Sequence, residues 1–335
     1  MTMRSSLSAL LESGRVLLAD GATGTNYFAM GLSSGEPPEF WNVDHPDRVV
    51  SLHRAFIAAG ADIILTNSFG GTAQRLKLHN AQDRVFELAA LAAQLGRQAA
   101  DEVERPVIVA GSVGPTGELF EPLGRLTEEV AVASFTEQIR GLKAGGADVA
   151  WIETMSSPEE VRAAARGAIA NDMPYVATCS FDTAGRTMMG LMPADYPAVF
   201  AELAVAPVAI GANCGVGASD ILVTVLSITE SGCTHPVVSK GNCGVPQFQG
   251  LDIVYSGTPE LMGRYAVLAA DAGVRIVGGC CGTSPEHLAV MREALDSWTA
   301  GERPTIEAIV AEIGPLANSA PTASGEGRER RRPRH

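Results

Sequence analysis

A chain of 335 residues, 46% hydrophobic and 19% charged, can bury a substantial core without disulfide staples. Its net charge of −13 argues against a nucleic-acid partner. Six cysteines, two of them adjacent, exclude a secreted disulfide scaffold, and no apolar run reaches the ~18 residues of a membrane span. The first 20 residues lack the apolar core of a secretory signal, so the cytoplasm is the expected compartment.

Short apolar runs alternate with amphipathic Ala/Leu/Glu/Arg stretches. A strand is predicted at 16–19, then a helix at 46–59 and a strand at 63–66. A helix at 81–103 leads to a strand at 107–110, and a helix at 127–144 to a strand at 149–152. A helix at 158–170 opens on Ser157-Pro158-Glu159-Glu160, with proline at the first helical position and acids in the first turn. Strands follow at 175–179, 208–212 and 236–239, then a helix at 259–272 and a last strand at 275–277. Gly60, Gly146 and Gly273 stand where helices end before the next strand.

The eight runs are continuously apolar, as parallel strands buried on both faces must be. Eight β/α alternations favour a closed (β/α)8 TIM barrel, a single domain over 1–314, above an open doubly wound sheet. Residues 315–335 are rich in Ala, Ser, Gly, Pro and Arg without apolar periodicity, and are expected to form a disordered basic tail.

Both architectures put ligands at the carboxyl ends of strands. Those ends carry Asp20-Gly21 with Thr23, Asn67-Ser68-Phe69, Ser112, Glu153-Thr154, Asn213-Cys214, Lys240 with Cys243, and Gly278-Gly279-Cys280-Cys281-Gly282. Successive residues of a flat strand point to opposite faces, so adjacent thiols do not normally share a ligand. Glycines around Cys280 and Cys281 permit the backbone angles that would turn both sulfurs to one point. Cys214, from another strand end, completes a three-thiolate face suited to Zn2+, with a fourth position open. Cys179 and Cys233 read as small buried hydrophobes. Lys240 also occupies the position of an aldolase-type lysine, a reading that leaves the cysteines unexplained.

The segments GANCG at 211–215 and GGCCGT at 278–283 resemble those of the homocysteine S-methyltransferase family. The resemblance runs from about 17 to 295 and takes in ADGATGTN, DIILTNSFGG, GSVGPTG and WIET. The wording is most similar to bacterial proteins classed as betaine–homocysteine methyltransferases. The resemblance implies a (β/α)8 barrel with zinc on Cys214, Cys280 and Cys281, and homocysteine sulfur at the open position. It implies that Asp20, Gly21, Ser112 and Glu153 meet the amino and carboxylate groups of L-homocysteine. Thr23 and Asn67, on the same rim, join them as substrate-binding candidates.

The second substrate is expected to be a small cationic methyl donor, with glycine betaine first and S-methylmethionine or another sulfonium as alternatives. A cobalamin-dependent methionine synthase subunit is the remaining alternative. Tyr27, Trp41 and Phe69 are the candidates for an aromatic cage around the donor cation. The animal betaine enzymes carry an aromatic residue where this sequence has Thr154. The sequence leaves room for a homo-oligomer.

Overall fold

Runs of Val, Ile, Leu and Ala have no polar face to turn to solvent, and here each is sandwiched between a barrel interior and a layer of helices. The computed structural model describes residues 4–249 and 252–317. The barrel strands are β1 (Leu17–Leu18), β2 (Ile63–Leu65), β3 (Ile108–Val113), β4 (Val149–Met155), β5 (Tyr175–Cys179), β6 (Ala209–Cys214), β7 (Val237–Gly241) and β10 (Val274–Gly279). All pair in parallel, in the order β1-β10-β7-β6-β5-β4-β3-β2. A parallel bridge between Ala19 and Ile63 closes the ring. A two-stranded antiparallel hairpin, β8 (Pro246–Gln249) and β9 (Asp252–Tyr255), follows β7.

Helix α1 (Leu7–Glu12) precedes the barrel. Helices α2 (Thr23–Ala29), α3 (Trp41–Asp44) and α4 (Pro46–Ala58) follow β1; α5 (Ala73–Lys77) and α6 (Val85–Ala100) follow β2. Then come α7 (Glu128–Gly145), α8 (Pro158–Ala170), α9 (Ala218–Glu230), α10 (Pro259–Asp271), α11 (Pro285–Asp296) and α12 (Ile306–Ile313). Among the described residues no helix is long and apolar enough to cross a membrane.

The period-2 alternation of a strand separates two cores. Leu17, Ile63, Leu65, Ile108, Val149, Trp151, Val176, Val238 and Ile276 fill the barrel, and Leu7 and Leu11 of α1 join this cluster at its amino-terminal end. Leu18, Ile64, Val109, Ile152 and Val277 face outward into the larger core under the helices. Asp62, at the start of β2, is buried and receives Arg15 at 2.8 Å and Arg292 at 3.4 Å.

The eight expected strands and the closed barrel are present. Several strands run further than their apolar stretches, so that Ser112, Glu153, Cys214 and Lys240 lie within strands rather than after them. Backbone pairing continues there while the side chains change from packing to lining a cavity. Helix α9 was not expected. Its Val, Thr and Ile content reads as strand, but nine of its residues are buried, and packing overrides that preference. A 3₁₀ helix, Pro193–Phe200, occupies the β5–β6 connection, where Pro197 lacks the N–H that an α-helix interior needs. Of the expected tail, residues 315–317 are held down, with the Ala317 amide donating to Asp220 at 3.0 Å. Residues 318–335 lie outside the described residues.

Candidate active site

The carboxyl ends of the strands surround a cavity of about 570 Å³. Cys214, at the end of β6, and Cys280 and Cys281, just past β10, bring their Sγ atoms within 4.8 Å of one another. Local backbone makes this possible. Gly282 adopts φ +80°, and a Cβ there would lie 2.4 Å from Tyr255. Cys214 itself takes φ +62° and Thr154 +60°, left-handed conformations that side chains tolerate only where the surroundings impose them.

Two asparagines impose them. Asn242 donates to the Gly215 carbonyl at 2.8 Å and accepts from the Cys281 amide at 3.0 Å, tying the two cysteine loops together. Asn213 accepts from the Thr154 amide at 2.8 Å and donates to Thr154 Oγ1 at 2.7 Å. The Cys280 amide donates to the Gly241 carbonyl at 2.7 Å. Hydrogen bonding within the trio is the largest influence on each thiol, and with burial and mutual repulsion the net effect is upward. Cys281 is pushed up to about 11, and Cys214 and Cys280 higher still.

Beside the sulfurs lies a buried charged group. Lys240 Nζ donates to Asp20 Oδ1 at 2.7 Å, and the Leu65 amide donates to Asp20 Oδ2 at 2.7 Å. Ser112 Oγ donates to Glu153 Oε1. Burial raises the pKa of both carboxyls, and Lys240 opposes the rise. Burial pulls the Lys240 ammonium down, but Asp20 and Glu153 outweigh it and its pKa ends up raised. Lys240 is therefore a charged ion-pair partner and not a free amine nucleophile.

The outer half of the cavity is built from loops. Gly21, Thr23 and Asn67 line the wall, together with Phe28, Glu36, Glu39, Phe69, Arg75 and His79. A Cβ on Gly21 would meet the Thr283 carbonyl at 2.5 Å. The Asn67 amide is spent on the wall, donating to the Pro38 carbonyl at 2.7 Å. Phe69 is 36% and Phe28 53% exposed. Tyr27 and Trp41 are not on the cavity surface: both are buried and pack on each other with centroids 5.3 Å apart. Trp41 carries a cation on its ring, but it is the guanidinium of Arg48, 4.9 Å from the centroid. Phe181 is likewise buried, edge-on to Tyr196 at 6.0 Å.

The profile of the family described as homocysteine S-methyltransferase matches residues 17–295. The chain belongs to the homocysteine S-methyltransferase family. Over 332 residues it is 30% identical to the methionine synthase of Mycobacterium tuberculosis, covering 92% of this chain and 27% of that protein. It is 29% identical over 293 residues to the methionine synthase of Mycobacterium leprae, covering 82% of this chain and 24% of that protein. The chain thus spans about a quarter of the length of the curated relatives it matches. In structure it resembles the homocysteine methyltransferase MmuM of Escherichia coli. The metallated form superposes with a TM-score of 0.71 at 23% identity, over 85% of this chain and 98% of that one. The oxidized form gives 0.72 at 24% identity, over 87% and 99%.

Within this homocysteine S-methyltransferase barrel, sequence reasoning missed the clamp role of Asn213 and Asn242, the pairing of Lys240 with Asp20, and the wall residues Glu39, Arg75 and His79. Asn213 sits beside Cys214 of the trio, which was a usable signal; Asn242 sits beside Cys243, which is buried outside the trio. Nothing in the sequence near Glu39 sets it apart from a solvated loop carboxylate.

Proposed function

We propose that the chain transfers a methyl group from a small onium donor, glycine betaine first, to L-homocysteine, giving L-methionine. The observation that carries this reading is the convergence of three thiols on one cavity wall beside a buried group of two carboxylates and one ammonium. Three sulfurs from two strand ends, all lining the cavity, would suit a soft cation such as zinc. A zinc ion held by Cys214, Cys280 and Cys281 would supply the Lewis acidity that favours the thiolate of a bound substrate thiol near neutral pH.

The chain's own residues supply the rest. Two buried carboxyls, Asp20 and Glu153, face one ammonium, Lys240, which leaves room for a second cation beside them. The α-ammonium of homocysteine is that cation, with Glu153 oriented toward it by the Ser112 hydroxyl. Asn213 and Asn242 fix the cysteine loops so that the acceptor sulfur meets the donor in one place. The thiol proton leaves to solvent. The sulfur lone pair forms a new bond to the donor methyl while the methyl–nitrogen bond breaks, its electron pair remaining on nitrogen. For glycine betaine the products are methionine and dimethylglycine. Cation and thiolate annihilate their charges, a change that a dry cavity favours over water.

A second reading rests on the 30% identity to a methionine synthase: the barrel would accept its methyl from a cobalamin held elsewhere. One donor panel separates the two. Zinc-loaded protein and homocysteine are supplied with glycine betaine, S-methylmethionine, dimethylsulfoniopropionate or methylcobalamin, and methionine is quantified. Turnover with glycine betaine is expected. Turnover with methylcobalamin alone would replace the onium reading.

A further inference from the structure

Glu39 is 4% exposed, yet no lysine, arginine or histidine among the described residues makes an ion pair with it. Its Oε1 accepts from the Gly70 amide at 2.5 Å, and the carboxyl also interacts with its own backbone amide. The carboxyl lines the cavity. Burial raises its pKa; the backbone amides of Glu39 and Gly70 act against the rise, and Arg75 and His79 do so more weakly. The inner carboxylate Asp20, buried to the same degree, has the Lys240 ammonium at 2.7 Å. A buried carboxylate with no directly paired cation is costly, and a cation arriving from outside would relieve that cost.

The surroundings say what kind of cation. Phe69 and Phe28 present partly exposed rings to the same half of the cavity, a surface for methylated onium groups rather than for a hydrated metal or primary ammonium. Arg75 lines the same half, and its guanidinium donates no hydrogen bond to the described residues. It stands over Gly117, where a Cβ would lie 3.3 Å from Nη1. A guanidinium so placed offers a fork to a carboxylate.

We propose that Glu39 selects a positively charged methyl donor and that Arg75 receives the donor's carboxylate, so that the outer half of the cavity is a site for a zwitterionic onium compound. This rests on the onium-donor reading above and adds the residues that enforce it. Glu39 holds the cationic end between its carboxylate and the aromatic rings. Arg75 discriminates donors that carry a carboxylate from those that do not. Neither residue touches the cysteine trio or the Asp20–Lys240 pair, so donor choice and homocysteine binding are set independently.

The test is calorimetric binding to the zinc-loaded protein, with three probes. Glycine betaine has both charges, 3,3-dimethylbutanoate replaces its ammonium by an uncharged tert-butyl group, and choline lacks the carboxylate. The wild type should bind glycine betaine more tightly than either by roughly tenfold or more. Glu39→Gln, which keeps an acceptor for the Gly70 amide, should abolish the preference over 3,3-dimethylbutanoate. Arg75→Met should abolish the preference over choline. Homocysteine affinity should stay unchanged in both. A wild type that binds the uncharged isostere as tightly as glycine betaine overturns the proposal without any variant. A wild type that discriminates, together with a Glu39→Gln protein that discriminates equally, overturns this assignment and leaves the onium reading standing. A wild type that binds none of the three probes, yet makes methionine from methylcobalamin, overturns both.

Discussion

The inner and outer halves of the cavity are built by different means. The inner half comes from strand ends: Ser112, Glu153, Cys214 and Lys240 project from a closed barrel whose backbone pairing holds each one, while Asp20 pairs with Lys240 without lining the cavity itself. Its ionisable groups are buried and face one another, two carboxyls against one ammonium. The outer half comes from the loops after β1 and β2, with partly exposed rings and a buried carboxylate, Glu39, that has no direct ion pair among the described residues. Rigid elements hold a constellation more narrowly than loops do. On the proposed function, the acceptor sulfur's chemistry would belong to the barrel and the choice of donor to the loops, a division that would let donors change without rebuilding the thiol site.

If that division is real, damage to each half has its own signature. The largest effect is expected in the inner half. Cys280→Ala should lose bound zinc and cut activity by more than about a hundredfold, since even outer partners of metal ligands contribute 10–100-fold. Elemental analysis and methionine formation check it, and Cys179→Ala, buried away from the trio, should keep both. Next comes Glu153→Gln, which preserves an acceptor for Ser112 but removes the charge. It should raise the homocysteine KM on the order of tenfold to a hundredfold, the worth of a charged hydrogen bond, with the donor KM unmoved. Equal changes in both KM values would erase the division. The smallest effect lies in the outer half. Phe69→Leu should weaken donor binding by up to about 30-fold, the range of one cation–π contact, and leave homocysteine alone. Tyr27→Phe, behind the wall, should change neither.

The same division decided what could be read from sequence. Strands buried on both faces leave continuous apolar runs, and the residue after each run lies near the site, so Asp20, Glu153 and the cysteines were legible. The glycines around Cys280 and Cys281 carried their geometry into the sequence. Helix α9 was not legible because its residues prefer strands and only burial among neighbours makes it helical. In the outer half, aromatic residues near glycine-rich loops looked alike. Whether a ring faces the cavity, as Phe69 does, or stacks on Arg48, as Trp41 does, depends on how α2, α3 and α4 fold back together, and no local pattern encodes it. Glu39 was invisible for the same reason: a carboxylate in a Pro-rich loop reads as solvated until the loop is seen to bury it.

The central claim is that the three cysteines hold a zinc ion whose remaining position takes the homocysteine sulfur. Zinc K-edge X-ray absorption of the purified protein, before and after homocysteine is added, measures this directly. The expected result is three sulfur neighbours at ~2.3 Å without substrate and four with it. A sulfur count that does not rise on adding saturating homocysteine, or that starts below three, would contradict it.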